Sequence, residues 1–328
     1  MNARTRHNRT LVAGAAVLVL AAPGQVLWSQ LTTLPLPGLS VRTVAVGQGP
    51  EAVAFDGLHI WVANQFGNSV MKIGATVPGV VATYQVGVRP VALVFDGGHL
   101  WVANLHSGNV MKLRPTDGEV VATIPVGRGP GALASDGQHI WVADREDDTV
   151  TKLRPLDGAI QGTFHVGKRP IALAANAGTI WVVNNGSNTV MKLRASDGMP
   201  LGTFPAGRAP FDIAIEDAHV WVTNFTGGSV TRLRASDGDV RGTFAVGDGP
   251  SGVTFDGLNI WVAATGSNTV TVLRPSDGAV LARIPVGRSP FGVEVSNVLG
   301  VRNIWVASFG TDSLTLVDPA ALLSLGGR

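Results

Sequence analysis

"RPIALAANAGTIWVVNNGSNTVMKLRASDGMPLGTFPAG", Arg169–Gly207, decides the fold. "IALAAN" is a short apolar run closed by turn residues, and "TIWVVN" is β-branched and aromatic. "TVMKLRASDG" alternates apolar and polar residues up to an Asp-Gly turn, and "LGTFPAG" is a further short strand. No segment is long enough for a helix, so the unit reads as a four-stranded antiparallel meander. The unit recurs. Trp stands at 61, 101, 141, 181, 221, 261 and 305, and Pro at 50, 90, 130, 170, 210, 250 and 290. A strand-built period of about 40 residues is that of a propeller blade. The expected fold is all-β: a seven-bladed β-propeller with four-stranded antiparallel blades.

The two ends of the repeat support this count. "VRTVAVG", Val41–Gly47, matches the fourth-strand segments "VATYQVG" from Val81 and "VATIPVG" from Val121, while the last copy stops after its third strand. The N-terminal strand is therefore expected to complete the last blade and close the ring, leaving no free edge there. The propeller then spans 41–318, with a linker at 25–40 and a C-terminal tail at 319–328.

The segment before the linker reads as an export signal. Arg4, Arg6 and Arg9 precede the apolar run Leu11–Ala22 and then Pro23-Gly24, the pattern of a signal peptide over 1–24. An uncleaved anchor is the alternative, and membrane contact is expected only through this segment. An exported, periplasmic or extracellular protein follows. Without those three arginines, 22 Lys+Arg face 23 Asp+Glu, so the high isoelectric point belongs to the signal and no nucleic-acid partner is expected. The chain has no Cys, which excludes disulfides, thiolate metal sites and Cys nucleophiles.

The consensus "VGxxPxxxAxDGxxIWVANxxSNTVxKLRxSDGxxxxTxxVG" resembles the YVTN-type β-propeller repeat, with "WVTN" at Trp221–Asn224 the nearest copy. It is more distantly similar to NHL-repeat and streptogramin B lyase propellers. The resemblance implies a propeller whose ligands sit at the channel mouth, on the face of the loops before each Pro and after each second strand. It does not carry a reaction with it.

The two faces sort the remaining residues. His59, His99, His139 and His219 fall on the opposite face, in a slot that also accepts Thr179, Asn259 and Asn303, so they read as turn chemistry rather than a metal ring. Asn64, Asn104, Asn184 and Asn224, with Asp144 in the third copy, end the second strand on the ligand face. They are expected to hold the following turn and are candidates for lining the mouth. Before the Pro residues, Arg89, Arg128, Lys168, Arg169, Arg208 and Arg288 form a basic rim suited to anions. His106 and Phe225, with Phe66, Phe211, Phe291 and Phe309, add aromatic surface to that face. Glu51, Asp212 and Glu294 replace small or apolar residues on the innermost strands. Glu51 and Glu294 are expected to approach each other, where a carboxylate pair can hold Ca²⁺ or Mg²⁺ or act as acid and base. "DREDD", Asp144–Asp148, is a second acidic stretch. The Lys and Arg of each third strand are expected to pair locally or cover the blade flank.

Two functions fit. One is an exported, monomeric, non-enzymatic propeller that needs no cofactor and binds a protein, a glycan or an anionic small molecule at the basic rim. The alternative is a metal-dependent propeller enzyme, lyase-like or lactonase-like. No His falls on an innermost strand, which favours the first.

Overall fold

The repeat is realised as drawn in a computed structural model that describes residues 39–176 and 178–322. The unit above forms strands Pro170–Asn176, Thr179–Asn184, Thr189–Arg194 and Pro200–Pro205. Among the described residues the strands fall into seven four-stranded antiparallel sheets, one per blade. Blades are numbered here from the one whose inner strand is Pro50–Phe55 to the one whose inner strand is Pro290–Val298. Strand Ser40–Ala45 pairs with Ser313–Asp318 and completes blade 7, from Ser40↔Asp318 to Ala45↔Ser313. The ring closes on a core in which Trp305 of blade 7 packs with Ile60, Val62 and Ile73 of blade 1. Leu322, in the short helix Pro319–Leu322, and Leu39 join the core around Trp261, so the packed body reaches slightly beyond 41–318. The expected signal segment 1–24, most of the linker and residues 323–328 lie outside the described residues.

The Asp of the "DG" turn explains the Trp that follows five residues later. Asp56 accepts the indole N–H of Trp61 at 2.8 Å and the backbone N–H groups of Leu58 and His59 at 2.9 and 2.7 Å. Asp96, Asp136 and Asp256 repeat this, Glu216 accepts from Trp221, and Ser296 takes the role for Trp305. Although burial opposes it, these donors hold the Asp56 and Asp136 carboxyls below their ordinary range. The slot's His residues rest beside this carboxylate, His59 Nδ1 lying 3.4 Å from Asp56. They stand at the turn and strand entry, His59 and His219 being the first residues of their strands.

The third-strand cations do more than cover a flank. Lys72 lies 5.3 Å from the centroid of its own Trp61 ring and donates to the Pro115 carbonyl of the next blade at 2.6 Å. Lys112, Lys152, Lys192 and Arg232 do the same toward Pro155, Ala195, Ala235 and Pro275. Each joins a cation–π contact to an inter-blade hydrogen bond. Blades 6 and 7 have Val272 and Leu316 in this slot, so the last two interfaces lack the tie. The exposed arginines two residues on pair locally, as Arg154 with Asp157 at 2.6 Å.

Each inner strand begins at its Pro and shifts register at once, a β-bulge beside the channel mouth. In blades 1 to 4 pairing resumes two residues after the Pro, at Ala52, Ala92, Ala132 and Ala172. In blades 5 to 7 it resumes one residue later, at Ile213, Val253 and Val293. The residues released from the ladder are Asp212, Gly252 and Gly292. The last two are glycines because the backbones nearly touch: a Cβ on Gly292 would stand 2.5 Å from the Glu51 carbonyl of blade 1.

Candidate functional site

The seven inner strands and the loops above them enclose a channel cavity of about 910 Å³, open on the face of the Pro loops. Its wall is divided. Phe225 and Phe211 of blade 5, Phe291 and Phe309 of blade 7 and Phe66 of blade 1 all line it. Their rings touch in series, with centroids 5.7, 5.8, 5.6 and 5.3 Å apart. Opposite them stand Arg89, Arg145 and Arg169, carried by the loops of blades 2 to 4. Arg145 is half-buried, and that burial, with the like charge of Arg169 and Arg89, depresses its guanidinium from the ordinary value. Arg89 reaches His106 Nε2 at 3.1 Å and the side-chain Oε1 of Gln65 at 3.4 Å, while its Nε is buried without a partner.

The three acids sit at different depths in this wall. Each keeps some accessible surface in the channel yet is enclosed by protein, and burial raises all three carboxyls. Glu51 is pushed up to about 7 although Arg89 and Arg145 pull it down, and its carboxylate bonds the Gln65 amide. Asp212, pushed up to about 6, accepts the Val253 N–H of blade 6 at 2.9 Å. Glu294, pushed up to about 7, meets its own Val295 N–H at 3.1 Å and the like charge of Asp212. Glu51 stands with the arginines, and the like charge that helps raise Glu294 is that of Asp212. Among the described residues no group of three or more His, Cys, Asp or Glu converges as a metal-holding cluster.

The basic rim contracts from a collar to an arc. Arg89 and Arg169 line the cavity, whereas Arg128, Lys168, Arg208 and Arg288 are exposed outside its lining. Arg128 is taken up by Asp147, its Nε 2.6 Å from Oδ1, and Arg288 bonds the Gly310 carbonyl at 3.1 Å. Asn64, Asn104, Asn184 and Asn224 do not line the mouth at all. Each is 0% exposed and wedged under the Gly of the preceding "VG" loop, as Asn224 Oδ1 accepts the Gly207 N–H at 2.9 Å. The expected bond to the following turn is not made either: the Asn amides donate to third-strand side chains, as Asn64 to Ser69 Oγ at 3.3 Å and Asn104 to Asn109 Oδ1 at 2.9 Å. Phe225 lines the cavity and His106 stands at its edge, against Arg89.

"DREDD" is not a cation loop. Asp144 is buried against Thr151 at 2.6 Å, Asp147 holds Arg128, and Asp148 accepts the Arg169 N–H at 2.7 Å. The channel-lining residue inside it is Arg145, masked in the sequence by four acids. Its signal was positional. The residue directly after the second-strand Asn slot is Gln65, Arg145, Asn185, Phe225 and Phe309 in five blades, and all five line the channel.

Comparison with known proteins gives a family and a fold. Residues 133–303 match the PQQ_2 family model, described as outer membrane protein assembly factor BamB. No curated protein matches the chain. Among solved structures, a streptogramin B lyase is similar at a TM-score of 0.72 and 15% identity, covering 85% of this chain and 97% of that one. Hydrazine synthase from Kuenenia stuttgartiensis is similar at 0.74 and 17%, over 91% of this chain and 100% of that one. Virginiamycin B lyase from Staphylococcus aureus is similar at 0.74 and 15%, over 85% and 99%. At such identities the likeness is one of fold, and the repeat match falls to PQQ_2 rather than to the YVTN type.

Proposed function

The chain belongs to the PQQ_2 family, described as outer membrane protein assembly factor BamB, and from that premise we propose that it is an exported cell-envelope binding protein. Its ligand site is the channel mouth on the Pro-loop face. The family description and the basic-then-apolar pattern of residues 1–24 support export. Among the described residues no helix is long and apolar enough to cross a membrane.

The observation that carries the binding reading is the divided wall of a 910 Å³ cavity, five aromatic rings on one side and three guanidinium groups on the other. Apolar wall with a few placed polar groups is the usual make-up of a ligand pocket. The test is native mass spectrometry of the full-length purified protein after incubation with a small-molecule extract of the cell envelope. The wild type retains an adduct, and the folded Arg145→Ala/Phe291→Ala variant loses it. Equal retention by both would overturn the proposal.

Asp212 and Glu294 support a second reading, an acid/base enzyme, since carboxyls at about 6 and about 7 can exchange protons near neutral pH. Among the described residues the cavity lining offers no His, and Asp212 already spends one oxygen on the Val253 N–H. Binding is the reading the geometry supports better.

A further inference from the structure

The arginine arc contains its own anion. Three guanidinium groups lie close enough for Arg145 to sense Arg89 and Arg169, and among the described lining residues the carboxylate that acts on Arg145 and Arg89 is Glu51. Glu146, on the same loop as Arg145, is exposed and stands outside the cavity lining. The other two acids of the lining are Asp212 on blade 5 and Glu294 on blade 7, the blade next to that of Glu51. The buried Nε of Arg89 has no partner, so the arc retains donor capacity that Glu51 does not fill. A ligand carboxylate at the arc would meet Glu51 as a like charge unless Glu51 carried a proton.

Resting on the reading of the mouth as a ligand site, we propose that the ligand is an apolar-bodied organic carboxylate and that Glu51 is its internal competitor. The body lies on the Phe211–Phe291–Phe309 wall, and the carboxylate takes the donors of Arg145, Arg169 and Arg89. Ligand anion and Glu51 anion exclude each other, so binding is accompanied by proton uptake at Glu51. Two features argue for a small, flat or alkyl body. The aromatic rings follow one another edge to face or tilted, presenting a continuous apolar strip. The cavity volume is that of a site for one drug-sized molecule.

The pH behaviour has a definite sign. With its carboxyl at about 7, Glu51 is mostly neutral a unit below that value and mostly charged a unit above it. Affinity for a carboxylate should therefore fall about tenfold between roughly pH 6 and pH 8, the proton being the linked ligand. Removing the titrating group removes the dependence.

Isothermal titration with 2-naphthylacetate and with its uncharged amide tests this on the full chain. The wild type is expected to prefer the carboxylate at least tenfold at about pH 6, with most of that preference gone at about pH 8. Glu51→Gln keeps the preference at both pH values. Arg169→Ala, at an exposed position where folding is not at stake, lowers affinity for the carboxylate and leaves the amide unchanged. Phe291→Ala weakens both probes alike. A pH profile unchanged by Glu51→Gln, or an amide bound as tightly as the carboxylate, overturns the assignment. If neither probe binds while the envelope adduct still depends on Arg145 and Phe291, the ligand class is wrong and the binding site stands. If that adduct is also independent of them, both readings fall.

Discussion

Blades 2 to 4 and blades 5 to 7 are built from one repeat, yet they meet the channel differently. On the first side the inner strands return to their partners at Ala92, Ala132 and Ala172, and Lys112, Lys152 and Lys192 tie each blade to the next. On the second side the strands stay free one residue longer. Blades 6 and 7 have no such tie, and small or polar inner residues bind neighbours instead: Ser251 Oγ donates to the Pro290 carbonyl at 2.9 Å and Asp212 accepts from Val253. Inter-blade cohesion has moved from the flank to the channel wall. The wall that results is aromatic where the strands crowd and cationic where they do not.

The glycine slot tests this division with the largest effect. Gly292→Ala puts a methyl against the Glu51 carbonyl, a backbone atom that cannot swing aside. A loss of roughly 2–3 kcal/mol is expected, as for other overpacked sites. The equivalent reverse change on the other side, Ala92→Gly, costs only about 1 kcal/mol, from a lost methyl and a looser backbone. Urea unfolding of both variants measures the contrast. Equal costs would mean that the two halves are packed alike.

How far the sequence revealed this follows from the same residues. Blade number, strand order and ring closure were legible because they rest on recurring features, the Trp and the Pro that every blade carries and the "DG" turn that most of them repeat. The Asp–Trp hydrogen bond was within reach too, since the two residues keep a constant spacing of five. The site was less legible because it depends on direction. Arg128 and Arg169 occupy neighbouring places in the repeat, yet Asp147 draws one outward while the other faces the channel. Arg145 reads as part of an acidic loop in the sequence, whereas in the fold Asp144, Asp147 and Asp148 each have a local partner. Glu51 and Glu294, on adjacent blades, enter the channel at different depths, one just after its Pro and the other four residues on.

A smaller effect separates the acids of the two sides. Glu294 has no base beside it, whereas Glu51 has Arg89 and Arg145. A carboxyl raised in the folded state holds its proton more tightly there than in the unfolded chain. Its contribution is therefore most favourable below about 4.5 and is lost as pH rises through about 7. Glu294→Gln should stabilise the protein at about pH 8 by ~1–2 kcal/mol, after discounting for channel water, and change little at about pH 5. Glu51→Gln should gain less, because it also leaves two guanidinium groups without their anion. Thermal unfolding at the two pH values decides it, and a larger gain at Glu51 than at Glu294 would contradict the division of charge.

The smallest effect is the sharpest test of where the basic arc ends. If the rim acted as a full collar, removing any of its bases would weaken an anionic ligand. Arg128, however, lies outside the cavity lining with its guanidinium on Asp147. An exposed pair of this kind adds little to stability, and a charge already neutralised in place adds little to the field at the mouth. Arg128→Ala should leave the melting temperature within about 1 °C of wild type and the affinity for 2-naphthylacetate within about twofold. Arg169→Ala, one blade further round, should lower that affinity strongly. Titration calorimetry on the pair gives the answer, and a comparable loss from both would restore the collar.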